Sequence, residues 1–184
     1  MGRTLIYIPK MFDRGEFKKL TGTIPEDFDE VSEEFWNYIE EKLKALSGNV
    51  QRVYCKESLD DMKKILETSE GNWEYKIIRR LVEGGADLTT VEDPLLVAET
   101  EAWLEMMEIS DDQGASELFK DGMREMDEYV VKRIDQTLED GEIGVLIIDP
   151  GSKLSFPEDV RVVKMCRFDP EDYLKRWKTK LKLR

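Results

Sequence analysis

Charged side chains follow three apolar segments of this 184-residue chain, at the points where predicted strands end. Lys10, Glu57 and Asp149 each stand at such an end, and Arg14 and Lys153 lie on the adjoining loops. Since the carboxyl ends of parallel strands meet at one edge of a sheet, these side chains should lie close together. A carboxylate beside a lysine can act as an acid–base pair or hold a small anionic ligand. The same residues would also serve as ordinary helix caps and exposed ion pairs.

The chain contains no histidine, which removes many catalytic and metal-binding arrangements. Ser-His-Asp and Cys-His catalysis, histidine-ligated zinc and histidine-ligated haem all need an imidazole. The two cysteines, Cys55 and Cys166, lie far apart in apolar runs and form no C-x-x-C motif, so both are expected to be buried and reduced. No cofactor and no metal ion is predicted.

Two kinds of loop invite comparison with known ligand-binding motifs. Residues 149–153, DPGSK, place a glycine, a hydroxyl and a lysine after a buried strand, but they lack the G-x-x-x-x-G-K-[ST] spacing of a phosphate-binding loop. No G-x-G-x-x-G occurs either. The acidic stretches 26–30 and 111–112 match no calcium-binding loop and stand where helices begin, a position that favours negative charge. A turn and helix caps are therefore predicted.

Four apolar segments predict strands, at residues 4–8, 50–56, 143–149 and 160–168. Helical patterns lie between the first three and after the last, which is the element order of an α/β fold with a sheet between layers of helices. Only about ten residues join the last two strands, too few for a standard helical crossover, and this predicts an antiparallel pair. The prediction is a mixed, mainly parallel sheet of about four strands with flanking helices.

Residues 72–139 carry helical patterns alone. We expect them to form a helical insertion within a single domain that spans residues 1–184, either capping the sheet or providing an interface between copies of the chain. One pattern aligns five apolar side chains along a helix. They are Leu95, Ala98, Ala102, Met106 and Ile109. An interface would be favoured if large apolar side chains were exposed on one side. The side chains whose exposure would support it are Leu95, Trp103, Met107, Phe119 and Tyr129.

The chain is acidic, with a net charge of −13, yet residues 175–184 contain six cations and no acid. A basic segment on an acidic body pairs most simply with its own carboxylates and helix ends, and the body would repel a polyanion, which disfavours nucleic acid as a partner. No secretory signal and no run of about 20 apolar residues occurs, so we expect a cytoplasmic protein without a membrane span. Scarce Asn and Gln beside abundant Glu and Lys are typical of thermophiles.

Several short segments carry a resemblance to a known family. They are Ile8-Pro9, residues 92–96, Ile148-Asp149, residues 157–160 and residues 169–174. In these segments the chain resembles a family of prokaryotic proteins of unassigned function that is itself distantly similar to the TraB, ChaN and erythromycin-esterase-like group. That group typically has histidine and glutamate at its strand ends. This chain has none of those histidines, so the resemblance carries over no esterase or haem-binding residue.

Three classes of function stay open. A self-associating or partner-binding protein without catalysis would use the helices of residues 72–139. A small-molecule or anion-binding enzyme or sensor would use a pocket lined by Lys10, Glu57 and Asp149. A nucleic-acid module would need residues 175–184 to join a larger basic face. Because no catalytic constellation is recognisable, we expect the first class, as a homo-oligomer.

Overall fold

A computed structural model describes residues 2–46, 48–68, 71–110 and 113–182 of the chain. The strands within them are β1 Arg3–Pro9, β2 Arg52–Cys55, β3 Asp87–Thr90, β4 Ile143–Ile148 and β5 Val160–Lys164. They form one sheet in the order β3-β2-β4-β1-β5, and every neighbouring pair is parallel.

Helices follow every strand except β4. They are α1 Arg14–Thr21 and α2 Phe28–Lys44 after β1, α3 Leu59–Thr68 and α4 Trp73–Glu83 after β2, α5 Pro94–Ile109 and α6 Gln113–Thr137 after β3, and α7 Pro170–Lys182 after β5. This arrangement confirms the predicted α/β class. Among the described residues, no helix combines the length and the apolar character that a membrane span needs.

Successive strand side chains point to opposite sides of the sheet, and in β1, β2 and β4 most side chains on both faces are buried. Ile6 and Ile8 of β1 belong to the core beneath α1, α2, α3, α4 and α7, on what we call the first face. Leu5 and Tyr7 lie on the second face, which is covered by the last turns of α6. Strands buried on both sides are continuously apolar, as residues 143–148, IGVLII, are.

The predicted antiparallel pair is wrong. β4 and β5 do not pair with each other, since both lie parallel to β1, one on each side of it. The chain returns from one end of the sheet to the other through residues 149–159, which we call the crossing segment and which contains no helix. Eleven extended residues reach about 36 Å, well beyond the length of these strands. Leu154 and Phe156 of the crossing segment pack on the second face.

The expectation that residues 72–139 contain only helices is wrong at β3. This strand lies at the edge of the sheet beside β2. Its sequence is Asp-Leu-Thr-Thr, and only Thr89 is buried. So short and polar a segment has no hydrophobic pattern by which a strand is recognised.

α5 and α6 form a hairpin of two helices. Asp93 caps α5 by accepting a hydrogen bond from the Leu95 amide at 2.9 Å, and Pro94 occupies the first helical position. α6 is the described element on which α5 packs most extensively. Farther along, α6 reaches the second face, where Val130 and Ile134 are buried. Most of α5 is therefore covered on one side only.

Candidate functional site

The carboxyl edge of the sheet, where all five described strands end, opens at β4. After β1 and β2 the chain leaves toward the first face, and after β3 and β4 it leaves toward the second face. Because β4 lies between β1 and β2, the loops beside it diverge. Such a divergence is the usual place for a ligand in an open α/β sheet.

Asp149 and Lys56 form an ion pair across this opening, after β4 and β2 respectively. The Lys56 ammonium also lies 4.0 Å from the carboxylate of Glu92, which follows β3. These three side chains line a cleft of about 170 Å³, with Met126 and Tyr129 of α6 among its other walls. Half of the Asp149 side chain is exposed, so the ion pair contributes little to stability.

A second cavity, of about 190 Å³, lies beside the end of β1, between the loop that leads to α1, the helix α2 and the start of α4. We call it the Lys10 cavity, and its walls include Lys10, Phe12, Trp36, Trp73 and Glu74. The Lys10 Nζ atom lies 3.6 Å from Glu74 Oε2 and 3.7 Å from Glu16 Oε1. Both distances exceed the roughly 2.7–2.9 Å of a charge-assisted hydrogen bond, so the ammonium is held by charge at longer range.

Helix caps bring these carboxylates to Lys10. Asp13 and Glu16 form a capping box at the start of α1, in which each side chain accepts a hydrogen bond from the other residue's amide. Asn72 begins α4 by accepting a hydrogen bond from the Glu74 amide at 2.9 Å. Glu74 thus stands in the first turn of a helix that begins beside the end of β1.

Burial is the strongest influence on the ionisation of Glu74. It raises the pKa of Glu74 to about 7, with Lys10 opposing the shift and with Glu57 and Asp149 adding to it. Burial lowers the pKa of Lys10, but Glu74, Glu16 and Asp149 outweigh it, so this pKa lies above its ordinary value. Near neutral pH both forms of Glu74 are therefore populated beside a charged lysine, which suits proton transfer or pH-dependent binding.

The structure brings Lys10, Glu57 and Asp149 to one edge of the sheet but not into one pocket. Lys10 lines the Lys10 cavity, and Asp149 lines the cleft beside Lys56. Glu57 instead accepts a hydrogen bond from the Tyr75 hydroxyl at 2.9 Å. Burial, followed by this hydrogen bond, raises the pKa of Tyr75 above its ordinary value. The two predicted carboxylates, Glu57 and Asp149, thus have different partners, Tyr75 and Lys56 respectively.

The other two predicted residues lie apart from these groups. Arg14 forms an ion pair with Asp29 near the start of α2. Lys153 lies on the crossing segment, and its backbone amide donates a hydrogen bond to Asp127 of α6 at 2.9 Å. Neither residue is among the described walls of the cleft or of the Lys10 cavity.

Three charged residues of this edge were not predicted. Lys56 directly follows β2 and Glu92 follows β3 after one residue, so the rule that identified Lys10 would have found them had β3 been recognised and the end of β2 been placed at Cys55. Glu74 lies on a helix 64 residues after Lys10, and no local signal connects the two. The packing of α4 on the first face creates that contact.

No metal site is visible in the part of the chain that the structure describes: no three acidic or cysteine side chains lie close enough together to hold an ion. The acidic pair at residues 111–112 lies outside the described residues. Asp27 of the other acidic stretch is the residue before α2, at its N-cap position. Cys55 and Cys166 are unpaired, and burial raises the pKa of the Cys55 thiol to about 12.

The outer side of α5 is a second candidate surface. Five side chains on this side are exposed, and we call them the outer stripe. They are Leu95, Ala98, Ala102, Met106 and Ile109. Leu95 is 79% and Ile109 is 85% exposed, values far above those of core residues. Trp103, Met107, Phe119 and Tyr129 are half-buried rather than exposed.

A groove of about 820 Å³ lies between α6 and the crossing segment. In a standard crossover a helix would cover this part of the second face. The apolar side chains of the groove are Phe119, Met123, Val131 and Pro157, and its cations are Lys120, Arg124, Lys132 and Lys153.

The basic end of the chain is partly paired with its own helix. Lys175 Nζ lies 3.3 Å from Glu171 Oε1, and the Arg176 Nε atom donates a hydrogen bond to the Asp172 carbonyl at 3.4 Å. Lys178, Lys180 and Lys182 are exposed. Residues 183–184 of the predicted basic segment lie outside the described residues.

Comparisons of the chain with protein-family models, curated proteins and solved structures found no match. The resemblance to the TraB, ChaN and erythromycin-esterase-like group stays a prediction.

Proposed function

We propose that this protein functions by self-association, without catalysis, and that two copies dock through the outer stripe of α5. The observation that carries the proposal is the presence of apolar residues on two sides of this helix. Leu96, Thr100, Trp103 and Met107 form the less exposed side, toward α6, while the outer stripe is exposed along its whole length. A surface helix normally has one apolar side, which faces the core. A second apolar side that is exposed along the helix is typical of an interaction surface.

The groove beside α6 is the surface on a second copy that fits the outer stripe best. Its apolar side chains offer contacts for the stripe, and its charges are complementary. α5 carries four glutamates and no lysine or arginine. The groove carries four cations against three acids. Asp135 pairs with Arg3, which lies outside the groove, and Glu128 pairs with Arg124 within it. Complementary charge of this kind guides association and selects the partner.

A twofold axis would let both copies make the same contact. Each α5 would then lie in the partner's groove, and the two hairpins would pack as a bundle of four helices. Such an interface is closed, so it produces a dimer rather than an open chain of molecules.

The direct test is sedimentation velocity of the purified protein from about 1 to about 100 µM, a range that detects dimers of micromolar dissociation constant. Met106→Glu places a carboxylate in the middle of the outer stripe and should raise the dissociation constant at least about tenfold. Lys132→Glu, in the groove, should weaken the dimer as well, because it removes one cation facing the glutamates of α5.

Leu104→Glu is the matched control. Leu104 is 42% and Met106 is 43% exposed, so the two substitutions perturb the folded monomer to a similar extent. Residues two apart on a helix point in nearly opposite directions, which places Leu104 outside the outer stripe. The dimer should persist in Leu104→Glu. A wild-type protein that is monomeric at the highest concentration, or equal effects of the two substitutions, would refute the proposal.

We also propose a cytoplasmic location for this dimer. The two unpaired cysteines support it, because free thiols persist in a reducing compartment.

A further inference from the structure

We propose that the Lys10 cavity binds a small aromatic carboxylate, with the Lys10 ammonium holding the carboxylate and the neighbouring aromatic side chains holding the ring. This binding does not depend on the dimer, because the cavity lies at the first face and the outer stripe belongs to a helix associated with the second face.

The apolar part of the cavity suits a flat ring. Phe12, Trp36 and Trp73 are three of its walls, and Trp36 is held rigidly by its burial in the core on the first face. Aromatic walls give a flat ligand a large contact area and favour stacked or edge-on packing. Binding pockets commonly combine such apolar walls with a small number of polar groups that fix orientation.

Lys10 is the polar group that is best able to take a ligand. Its two carboxylate neighbours lie 3.6 and 3.7 Å away, so its N–H donors can turn to a closer acceptor. The acids nearby are occupied differently. Asp13 and Glu16 bond each other's amides in the capping box, and Glu57 accepts the Tyr75 hydroxyl. These bonds leave those carboxylates less free than Lys10 to bind a ligand.

Glu74 couples the binding to pH. A ligand carboxylate beside Lys10 would stand close to the Glu74 carboxyl, and two buried carboxylates in contact favour the uptake of one proton. The binding equilibrium would therefore be: ionised ligand plus a proton plus the free cavity gives the complex, with the proton on Glu74. The ionisable groups that face Glu74 are Lys10 after β1, Cys55 and Glu57 at the end of β2, Asp149 after β4, Asp13 and Glu16 from the start of α1, and Tyr75 on its own helix.

The probe is phenylacetate, with benzylamine and benzyl alcohol as the cationic and neutral analogues. Titration calorimetry should show binding of phenylacetate at pH 6 and much weaker binding of the other two. Because two of the four tryptophans line the cavity, tryptophan fluorescence should change with the same midpoint. With the pKa of Glu74 at about 7, affinity should be about tenfold lower at pH 8 than at pH 6.

Two variants test the two roles. Lys10→Met should abolish phenylacetate binding, with circular dichroism used to confirm that the variant is folded. Glu74→Gln keeps the shape of the side chain but cannot titrate, so it should bind phenylacetate with an affinity that no longer changes between pH 6 and pH 8. Should Lys10→Met fail to fold, the pH profile of Glu74→Gln still decides.

Four results would overturn the proposal: no phenylacetate binding, tighter binding of benzylamine than of phenylacetate, unchanged binding by a folded Lys10→Met, or a pH dependence in Glu74→Gln equal to that of the wild type. Met106→Glu separates this proposal from the dimer, since this variant should bind phenylacetate as the wild type does. The ligand site and the dimer can thus fail independently.

Discussion

Gly122 of α6 lies so close to Thr100 of α5 that a Cβ atom on the glycine would stand 2.6 Å from the threonine Oγ1. Thr100 is one of two buried polar residues among those described, and its hydroxyl donates a hydrogen bond to the Leu96 carbonyl at 2.7 Å. The hairpin of α5 and α6 therefore depends on a residue without a side chain at its closest point.

Gly122→Ala should destabilise the protein by about 1–3 kcal/mol, because the two helices must move apart or Thr100 must change rotamer. Urea denaturation measures the effect. The double variant Thr100→Ala/Gly122→Ala removes the clashing hydroxyl, so adding Gly122→Ala to the Thr100→Ala background should cost much less. An equal cost in both backgrounds would show that the close approach is not the cause.

Glu74→Gln should change the pH dependence of stability. The folded-state pKa of Glu74, about 7, lies above its ordinary value, so the folded state retains this proton over a range in which the unfolded state loses it. Wild-type stability then falls between pH 4.5 and pH 7, by up to about 3 kcal/mol from this group. Glu74→Gln lacks that loss, so its stability relative to wild type should rise from pH 4.5 to pH 7.

Urea denaturation at several pH values measures this difference. Glu83→Gln, at an exposed position at the end of the same helix, is the matched control for removing one carboxylate from α4. Parallel pH profiles for the wild type and Glu74→Gln would contradict the expectation.

Glu142 should change the stability of the fold with pH in the opposite direction to Glu74, and it should do so at acid pH. Burial pushes its pKa upward, but hydrogen bonds from Arg52 at 2.7 Å and from the Glu139 amide at 2.7 Å outweigh it, so the pKa lies below its ordinary value. The stability this adds is present above the ordinary glutamate pKa and is lost as pH falls through the lower folded value.

Glu142→Gln should therefore cost about 1–2 kcal/mol near neutral pH, and the cost should shrink toward pH 3. Thermal unfolding at both pH values gives the comparison. A cost that stays constant down to pH 3 would mean that the carboxylate charge is not what stabilises the contact.

The two thiols should differ in reactivity toward a disulfide reagent in the folded protein. Cys55 is buried and its pKa is raised to about 12, so almost no reactive thiolate is present. Cys166 is partly exposed. Burial raises the pKa of its thiol, and the charge of Lys164 opposes this shift. In the native wild type one thiol should react slowly, and a second should react only on denaturation. Cys166→Ser should remove the native reaction and leave the thiol that reacts on denaturation. Native labelling that survives Cys166→Ser would contradict this expectation.

Much of the fold can be predicted from local patterns. The apolar runs of β1 and β4 are recognisable because a strand buried on both faces needs apolar residues at nearly every position. The outer stripe of α5 is visible as a helical repeat in the same way. β3 is not predicted because it is an edge strand of four mostly polar residues. Backbone pairing with β2 holds it in the sheet, and such pairing does not require apolar residues in the strand itself.

The sequence by itself determined most of the segments that become strands and helices, with β3 as an exception, and it determined that charged residues stand where strands end and that histidine chemistry is absent. Only the tertiary structure decided the strand order, the parallel direction of β5 and the pairing of Lys10 with Glu74. The physical reason is the range of the interactions. Hydrophobic period and helix caps act over a few residues, whereas strand order and the contact between Lys10 and α4 depend on packing between segments far apart in the chain.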